Sequence, residues 1–243
     1  MKKTALVTGA SRGIGKAIAY ALAKEGYHLA LFCHNNFQLL KDYAAQLAKD
    51  FKIEVYVYCG DISDSEFTIN SCEDALSKLG QIDVLINNAG KASIGLLTDM
   101  YVADWNSIIG TNLSALFYTA KAIVPNMISR KQGNIINISS MWGTVGASCE
   151  VAYSASKGGV NAFTKALAKE LAPNQIAVNA IACGVVDTDM NAMLSEEDRA
   201  SLAEEIPAGK FCSPEEIAHI VLGIINAPTY MTGQIIGVDG GYI

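Results

Sequence analysis

The sequence predicts an α/β protein, a single doubly wound domain in which a seven-stranded parallel sheet carries helices on both faces. Three observations predict it. Short β-rich apolar runs alternate along the chain with longer stretches whose apolar residues recur at helical spacing, the pattern of repeated strand–helix–strand units. Several of the short runs are apolar on both faces, as strands covered by helices on each side must be. The chain has 243 residues, 51% of them hydrophobic, enough to bury one sizeable core. No Pro-, Ser- or Gly-rich linker divides it, and no internal repeat or low-complexity tract interrupts it.

Taken in order, "TALVT" (Thr4–Thr8) is a first strand that runs into a glycine-rich turn, and "GKAIAYALAKEGY" follows with helical periodicity. "LALFC" (Leu29–Cys33) and "EVYVY" (Glu54–Tyr58) are the second and third strands, the latter rich in the β-branched and aromatic residues that suit a pleated surface. "DVLIN" (Asp83–Asn87) and "NIINIS" (Asn134–Ser139) are the fourth and fifth. "VNAFTKALAKELA" is again helical, with apolar residues three and four apart. "AVNAI" (Ala177–Ile181) and "QIIGV" (Gln234–Val238) complete the seven.

Composition excludes several functions. Lys and Arg total 18 against 24 Asp and Glu, a formal net charge of −6, which gives no general pull toward nucleic acid or an anionic membrane. The start "MKKTALVTGASRG" reaches glycine before any signal-length apolar core, and no run approaches a membrane span; the expectation is a cytoplasmic protein. Cys33, Cys59, Cys72, Cys149, Cys183 and Cys212 show no CxxC and no metal-ligand spacing to histidine, so they read as reduced and mostly buried thiols. His28, His34 and His219 are isolated from one another, against a metal site or a His-based nucleophilic triad.

In a doubly wound sheet, ligands bind beyond the carboxyl ends of the strands. After the first strand comes "TGASRGIG" (Thr8–Gly15), where Gly9, Gly13 and Gly15 open a helix whose positive N-terminus suits a pyrophosphate. After the third comes "GDIS", in which Asp61 is placed to accept from an adenine amino group; the alternative is a helix cap, with Ser63 the expected capping residue. After the fourth comes "NNAG" (Asn87–Gly90), asparagines fit for a turn followed by small residues that leave room for a ribose or flat ring. Further on stands "YSASKGG" (Tyr153–Gly159). Tyrosine keeps its proton to about pH 10, but Tyr153 and Lys157 share a helix face one turn apart, and a neighbouring ammonium is expected to lower the phenol toward a working pH.

With "TGASRGIG", "NNAG", Asn112 in "GTNLS", "NISS" and "YSASK" present in this order, the chain resembles the short-chain dehydrogenase/reductase superfamily over essentially its whole length. The resemblance implies a Rossmann-type fold and a catalytic tetrad of Asn112, Ser140, Tyr153 and Lys157. Ser140 fits because the family's serine lies 13 residues before its tyrosine; the adjacent Ser139 is the alternative. In the reaction so implied, Tyr153 protonates a carbonyl oxygen that receives hydride from NAD(P)H at its carbon, and Ser140 hydrogen-bonds that oxygen. Lys157 holds the nicotinamide ribose, and Asn112 seats a water that connects the lysine to solvent. Cofactor contacts are implied for Gly9, Ser11, Arg12, Gly13, Ile14, Gly15, Asp61, Ile62, Asn88, Ala89, Gly90, Val186 and Thr188, besides Tyr153 and Lys157.

The cofactor expected is NADPH/NADP⁺. The second strand ends "LFCHNN", without the carboxylate that an NAD-preferring sheet of this type uses on the ribose diol. Arg12 can pair with a 2′-phosphate, with hydrogen bonds from His34 and Asn35. Within the superfamily the likeness is to 3-oxoacyl-[acyl-carrier-protein] reductases of bacterial fatty-acid synthesis, through "NIINISS", "YSASKGGV", "VNAIACGVVDTDM", "IPAGKFCSPEEIA" and "TGQIIGVDGG". It departs at Cys183, where the family usually has proline and where a looser turn is expected, and at Asn174, where a basic residue is common. That likeness implies a 3-oxoacyl thioester substrate on acyl carrier protein, a homotetramer, and a docking patch drawn from Arg130, Lys131, Lys165 and Lys169 at the pocket rim. A free steroid, sugar or small ketone is the alternative substrate, its pocket made by the loop Met141–Val151 and a helix Met190–Glu205. A cofactor-binding sensor without turnover is a reading of another class, and the retention of both Tyr153 and Lys157 weighs against it.

Overall fold

The computed structural model describes residues 2–191 and 194–243. Seven strands of the described residues form one parallel sheet in the order β3-β2-β1-β4-β5-β6-β7. These are β1 (Thr4–Val7), β2 (His28–Cys33), β3 (Val55–Cys59), β4 (Val84–Asn87), β5 (Gly133–Ser140), β6 (Ile176–Cys183) and β7 (Ile235–Val238). Each lies within two residues of its expected bounds. The intervening helices are α1 (Gly13–Lys24), α2 (Phe37–Phe51), α3 (Ser65–Leu79), α4 (Val102–Ile109), α5 (Ala115–Arg130), α6 (Trp142–Val145), α7 (Val151–Leu171), α8 (Glu196–Glu205) and α9 (Pro214–Ile225).

Successive strand side chains alternate between the two faces, and the core divides accordingly. Ala5, Val7, Leu29, Leu31 and Ile86 pack with Ile18 of α1, Leu40 of α2 and Ile217 of α9. Leu6, Phe32, Leu85, Ile135 and Val178 pack on the other face with Cys72 of α3, Ile123 of α5 and Leu171 of α7. Both faces are therefore covered, which is why these strands read as continuous apolar runs.

One buried polar row crosses the second core. Thr119 on α5 donates to Asn87 Oδ1 at 2.8 Å, Asn87 donates to Asn137 Oδ1 at 2.9 Å, and Asn137 donates to Thr164 on α7 at 2.9 Å. Asn87 and Asn137 are register partners of β4 and β5, and the row pins both strands to α5 and α7.

The order of strands reverses direction between β1 and β4, so the loops that follow them part and open a crevice at the carboxyl edge. Helix ends are set by local chemistry. Asp64, not the expected Ser63, caps α3 by accepting from the Glu66 and Phe67 amides. Ser195 with Asp198 boxes the start of α8, and Ser213 with Glu216 that of α9. The helix expected from Met190 thus begins only at Glu196, after a 3-10 turn at Asp189–Asn191; residues 192 and 193 of that expectation lie outside the described residues. No helix among the described residues is long and apolar enough to cross a membrane.

Cys33, Cys72 and Cys183 are buried, but Cys59 is exposed and Cys149 and Cys212 are half-buried, so the expectation of mostly buried thiols holds for half of them; all six are free.

Candidate functional site

The glycine turn after β1 is shaped by contact rather than by flexibility. Gly9 has φ +67°, and a methyl on Gly15 would lie 2.3 Å from the Gly9 carbonyl oxygen and 2.5 Å from Asn88 Nδ2, so the turn closes onto "NNAG". Asn88 donates to Thr8 O at 2.9 Å, and the Asn88 and Ala89 amides donate to Thr8 Oγ1 at 2.9 and 3.0 Å. Arg12 stands at the N-cap of α1 without a side-chain capping bond, and no acidic residue lies in the first turn. Unlike α3, α8 and α9, this helix start has no carboxylate or hydroxyl answering its amides, so it fits a phosphate. Ser11 is buried and Ile14 half-buried in the same turn, and Thr188 approaches it from across the crevice, 3.2 Å from where a Gly13 methyl would be.

At the far end of the crevice, Lys157 is 4% exposed and donates to Ile138 O at 2.7 Å. Its ammonium lies 5.6 Å from the centroid of the Tyr153 ring, one turn earlier on α7. Gly90 meets both this lysine and Asn112: a methyl there would sit 3.6 Å from Lys157 Nζ and 3.4 Å from Asn112 Oδ1. Asn112 is buried in a π-helical turn, Gly110–Ser114, between α4 and α5, the kind of bulge that re-aims a side chain at a site. Its amide is clasped by the Lys91 backbone, 2.9 Å in each direction, and donates to Ser156 Oγ at 3.0 Å.

The two candidate serines have different neighbours. Ser139 turns toward α7 and bonds Asn161 Oδ1 at 2.7 Å, whereas Ser140, the last residue of β5, accepts from the Trp142 amide at 3.2 Å and acts on the Tyr153 phenol. Asn112, Ser140, Tyr153 and Lys157 therefore converge.

Their electrostatics depart from expectation. Burial pushes the Tyr153 phenol up to about 12, against the opposing pull of Ser140 and with Cys183 and Glu150 adding to the rise. Burial likewise pulls Lys157 down to about 8. The expected lowering of Tyr153 by its lysine neighbour is not seen, because a dry site penalises phenolate and ammonium alike. Cys183 also differs from expectation. It closes β6 in register with Ser140, its carbonyl accepts from Met141 at 2.8 Å, and Gly184 N donates to Val238 at 2.8 Å, so the position is laddered strand and not a loosened turn.

At the other end of the crevice, His34 and Asn35 are exposed just beyond β2. Arg12 reaches Asp189 at 3.5 Å, both side chains 64% exposed, a contact that leaves the guanidinium available. Asp61 is raised by burial but lowered more by the Ser63 hydroxyl and amide, at 2.7 and 2.8 Å on Oδ1, and ends below its usual range. Ile62 and Val186 are buried alongside. The pocket loop lies against the C-terminus: Trp142 packs edge-on to Tyr242 at 5.9 Å, and Tyr242 bonds Glu205 of α8 at 2.8 Å.

The basic residues expected at the pocket rim are elsewhere. Helices run antiparallel to the strands, so the end of α5 returns to the amino edge. There Arg130 is tied to Asp83 at 2.8 Å and Ile82 O at 2.7 Å, and Lys131 follows it. Lys165 and Lys169 lie in the second half of α7, beside a cleft of about 360 Å³ reaching Thr232 and Gln234. Sequence reading missed Lys91 and Ser156, which hold Asn112, and Asn161, which ties Ser139 to the Gly143 carbonyl; of these only Asn161, in "KGGVNAF", carries a signal, an amide inside an apolar run.

Comparison with known proteins agrees with this geometry. The family model described as short chain dehydrogenase matches residues 3–199. The uncharacterized oxidoreductase YmfI of Bacillus subtilis is 38% identical over 244 residues, 100% of this chain and 99% of that protein. The 3-oxoacyl-[acyl-carrier-protein] reductase FabG of Escherichia coli is 38% identical over 242 residues, 98% of this chain and 96% of its own. Among solved structures, that of YwfH, an NADPH dependent reductase involved in bacilysin biosynthesis, superposes with a TM-score of 0.94 at 27% identity, covering 100% of this chain and 99% of the other.

Proposed function

Because the chain belongs to the short-chain dehydrogenase/reductase family, we propose that this oxidoreductase is an NADPH-dependent reductase of 3-oxoacyl thioesters, with acyl carrier protein as the natural bearer of the substrate. The observation that carries the reaction type is the convergence of Ser140, Tyr153, Lys157 and Asn112 at one end of a crevice whose other end is the uncapped start of α1. When bound, the reduced cofactor supplies the hydride. Tyr153, kept protonated by burial, gives its proton to the carbonyl oxygen, and Ser140 hydrogen-bonds that oxygen as negative charge develops on it. Lys157, cationic below about pH 8, opposes the phenolate left behind. Asn112 and Gly90 fix the lysine's approach. Arg12, His34 and Asn35 favour a 2′-phosphate where β2 offers no carboxylate.

A free ketone is the second reading, and the placement of Arg130, Lys131, Lys165 and Lys169 away from the carboxyl edge favours it. Steady-state NADPH oxidation with acetoacetyl-acyl carrier protein, a small acetoacetyl thioester and a panel of free ketones tests the choice. A higher kcat/KM for the carrier-borne substrate than for the small thioester supports the first reading. Equal or better use of a free ketone overturns it while leaving the reductase machinery in place.

A further inference from the structure

Two of the six thiols are neighbours by construction. Cys33 ends β2 and Cys59 ends β3, and the two are direct register partners of a parallel pair, with side chains on the same sheet face because both follow the alternation that puts Leu31 and Val57 against α1 and α2. Adjacent strands run about 4.8 Å apart, inside the Cα separation of roughly 4.4–6.8 Å that a disulfide spans. Cys59 is an exposed residue whose Sγ donates to the His34 carbonyl at 3.1 Å, and Gly60 N donates to Cys33 O at 3.0 Å. Beneath it Cys33 is 5% exposed, its thiol pushed up to about 12 by burial and by the Cys59 sulfur beside it.

We propose that Cys33 and Cys59 form a modification site, an oxidisable dithiol whose disulfide weakens cofactor binding at the adenosine end of the crevice. The oxidant class is a hydroperoxide. Cys59, the solvent-facing member, attacks the peroxide as thiolate; its sulfur gains the S–O bond, the O–O bond breaks, and the alcohol or water leaves with the proton. Cys33 then attacks the sulfenic sulfur, the S–S bond forms, the S–O bond breaks, and the departing hydroxide takes the Cys33 proton as water. Two thiols are oxidised by two electrons in all and one peroxide is reduced by two.

The consequence follows from what adjoins each sulfur. Oxidation removes the S–H that now holds the His34 carbonyl and draws the ends of β2 and β3 into disulfide geometry. The residues immediately beyond are His34 and Asn35 on one strand and Asp61 and Ile62 on the other, the group assigned to the adenosine moiety. Coupling of this kind is reciprocal, so NADPH must favour the dithiol by the factor by which the disulfide disfavours NADPH. The coupling rests on the cofactor reading above; the cross-link itself does not.

The test treats the reduced protein with hydrogen peroxide, alkylates the remaining thiols, and maps peptides by mass, with NADPH affinity measured by fluorescence titration on the same samples. The expected result is a Cys33–Cys59 peptide pair lighter by two hydrogens, an NADPH dissociation constant raised roughly tenfold, within the range of ordinary site coupling, and full reversal by dithiothreitol. Cys59→Ser should bind NADPH as the reduced wild type does and be indifferent to peroxide. Peroxide-treated protein without that peptide pair overturns the site. A cross-linked protein with unchanged affinity, or a Cys59→Ser variant that loses affinity as fully as wild type, overturns the coupling. If reduced wild type binds no NADPH, the cofactor reading falls and the coupling with it, while the peptide map still decides the cross-link.

Discussion

At Tyr153 the deciding quantity is the cost of placing charge in a dry site. Burial holds its phenol near 12 and Lys157 near 8, so the resting pair is a neutral acid beside a cation that is easily lost. Tyr153→Phe should lower kcat for reduction by about 10²–10⁴-fold, the usual worth of a general acid, while NADPH titrations give an affinity close to wild type; a variant keeping a tenth of the turnover would remove Tyr153 from that role. The pH sign follows from Lys157. Its folded value is depressed, so the cation is present below about 8 and lost above it, and a kcat profile for reduction should fall as pH rises through that value. The spacing of Tyr153 and Lys157 was plain in "YSASK", but their protonation was not. Charge proximity is visible in a helix period, whereas desolvation depends on β5, β6 and Cys183 closing over the pair, which are distant in sequence.

Among the elements, the turn from β1 into α1 has the least freedom. Gly15→Ala sets a methyl 2.3 Å from the Gly9 carbonyl oxygen, and backbone cannot yield as a side chain can. The variant should lose about 1–3 kcal/mol of stability, the range for overpacking, and bind NADPH markedly more weakly. Gly223→Ala, in an exposed turn of α9 with nothing within 4 Å, should be neutral or slightly stabilising. Thermal unfolding and fluorescence titration of the two variants read both effects, and equal behaviour would refute the steric account. Strand positions were legible because apolar runs bounded by turn residues are a local signal. The π-helical turn holding Asn112 was not, since "IIGTNLSALF" continues a helical period and the extra residue per turn is set by Lys91 and Ser156 packing from outside. The cap of α3 fell to Asp64 because Ser63 is drawn back to Asp61.

For the whole molecule, the exposed apolar surface points to assembly. Tyr101 and Val102 are 77% and 76% exposed, and Ile94, Leu96, Leu97 and Phe117 are also open, more large apolar side chains than a solitary surface favours. β7 is an edge strand with one side unpaired. Sedimentation at micromolar concentration should give the mass of four chains, and Phe117→Asp should reduce it; a monomeric wild type would contradict this. Assembly also bears on the carrier docking proposed above, because Lys131 stands at the amino edge of its own sheet, away from its own crevice. That placement was beyond sequence reading, which gives the charge of a residue but not the edge of the sheet to which its helix returns.

The row from Thr119 through Asn87 and Asn137 to Thr164 has a bearing on which substitutions the centre of the sheet accepts. Asn137 gives one hydrogen bond and takes another with the two ends of a single amide, so aspartate, isosteric but unable to donate when ionised, would bury a charge, and leucine would orphan the Asn87 amide N–H at about 1–3 kcal/mol, while Thr164 keeps its bond to the Val160 carbonyl. A slip of β4 along β5 by one residue would break the Asn87–Asn137 link and turn the Asn87 side chain away from Thr119. The middle of the molecule is thus a combination lock with one setting, while the exposed face of α8, far from any such row, is free to drift.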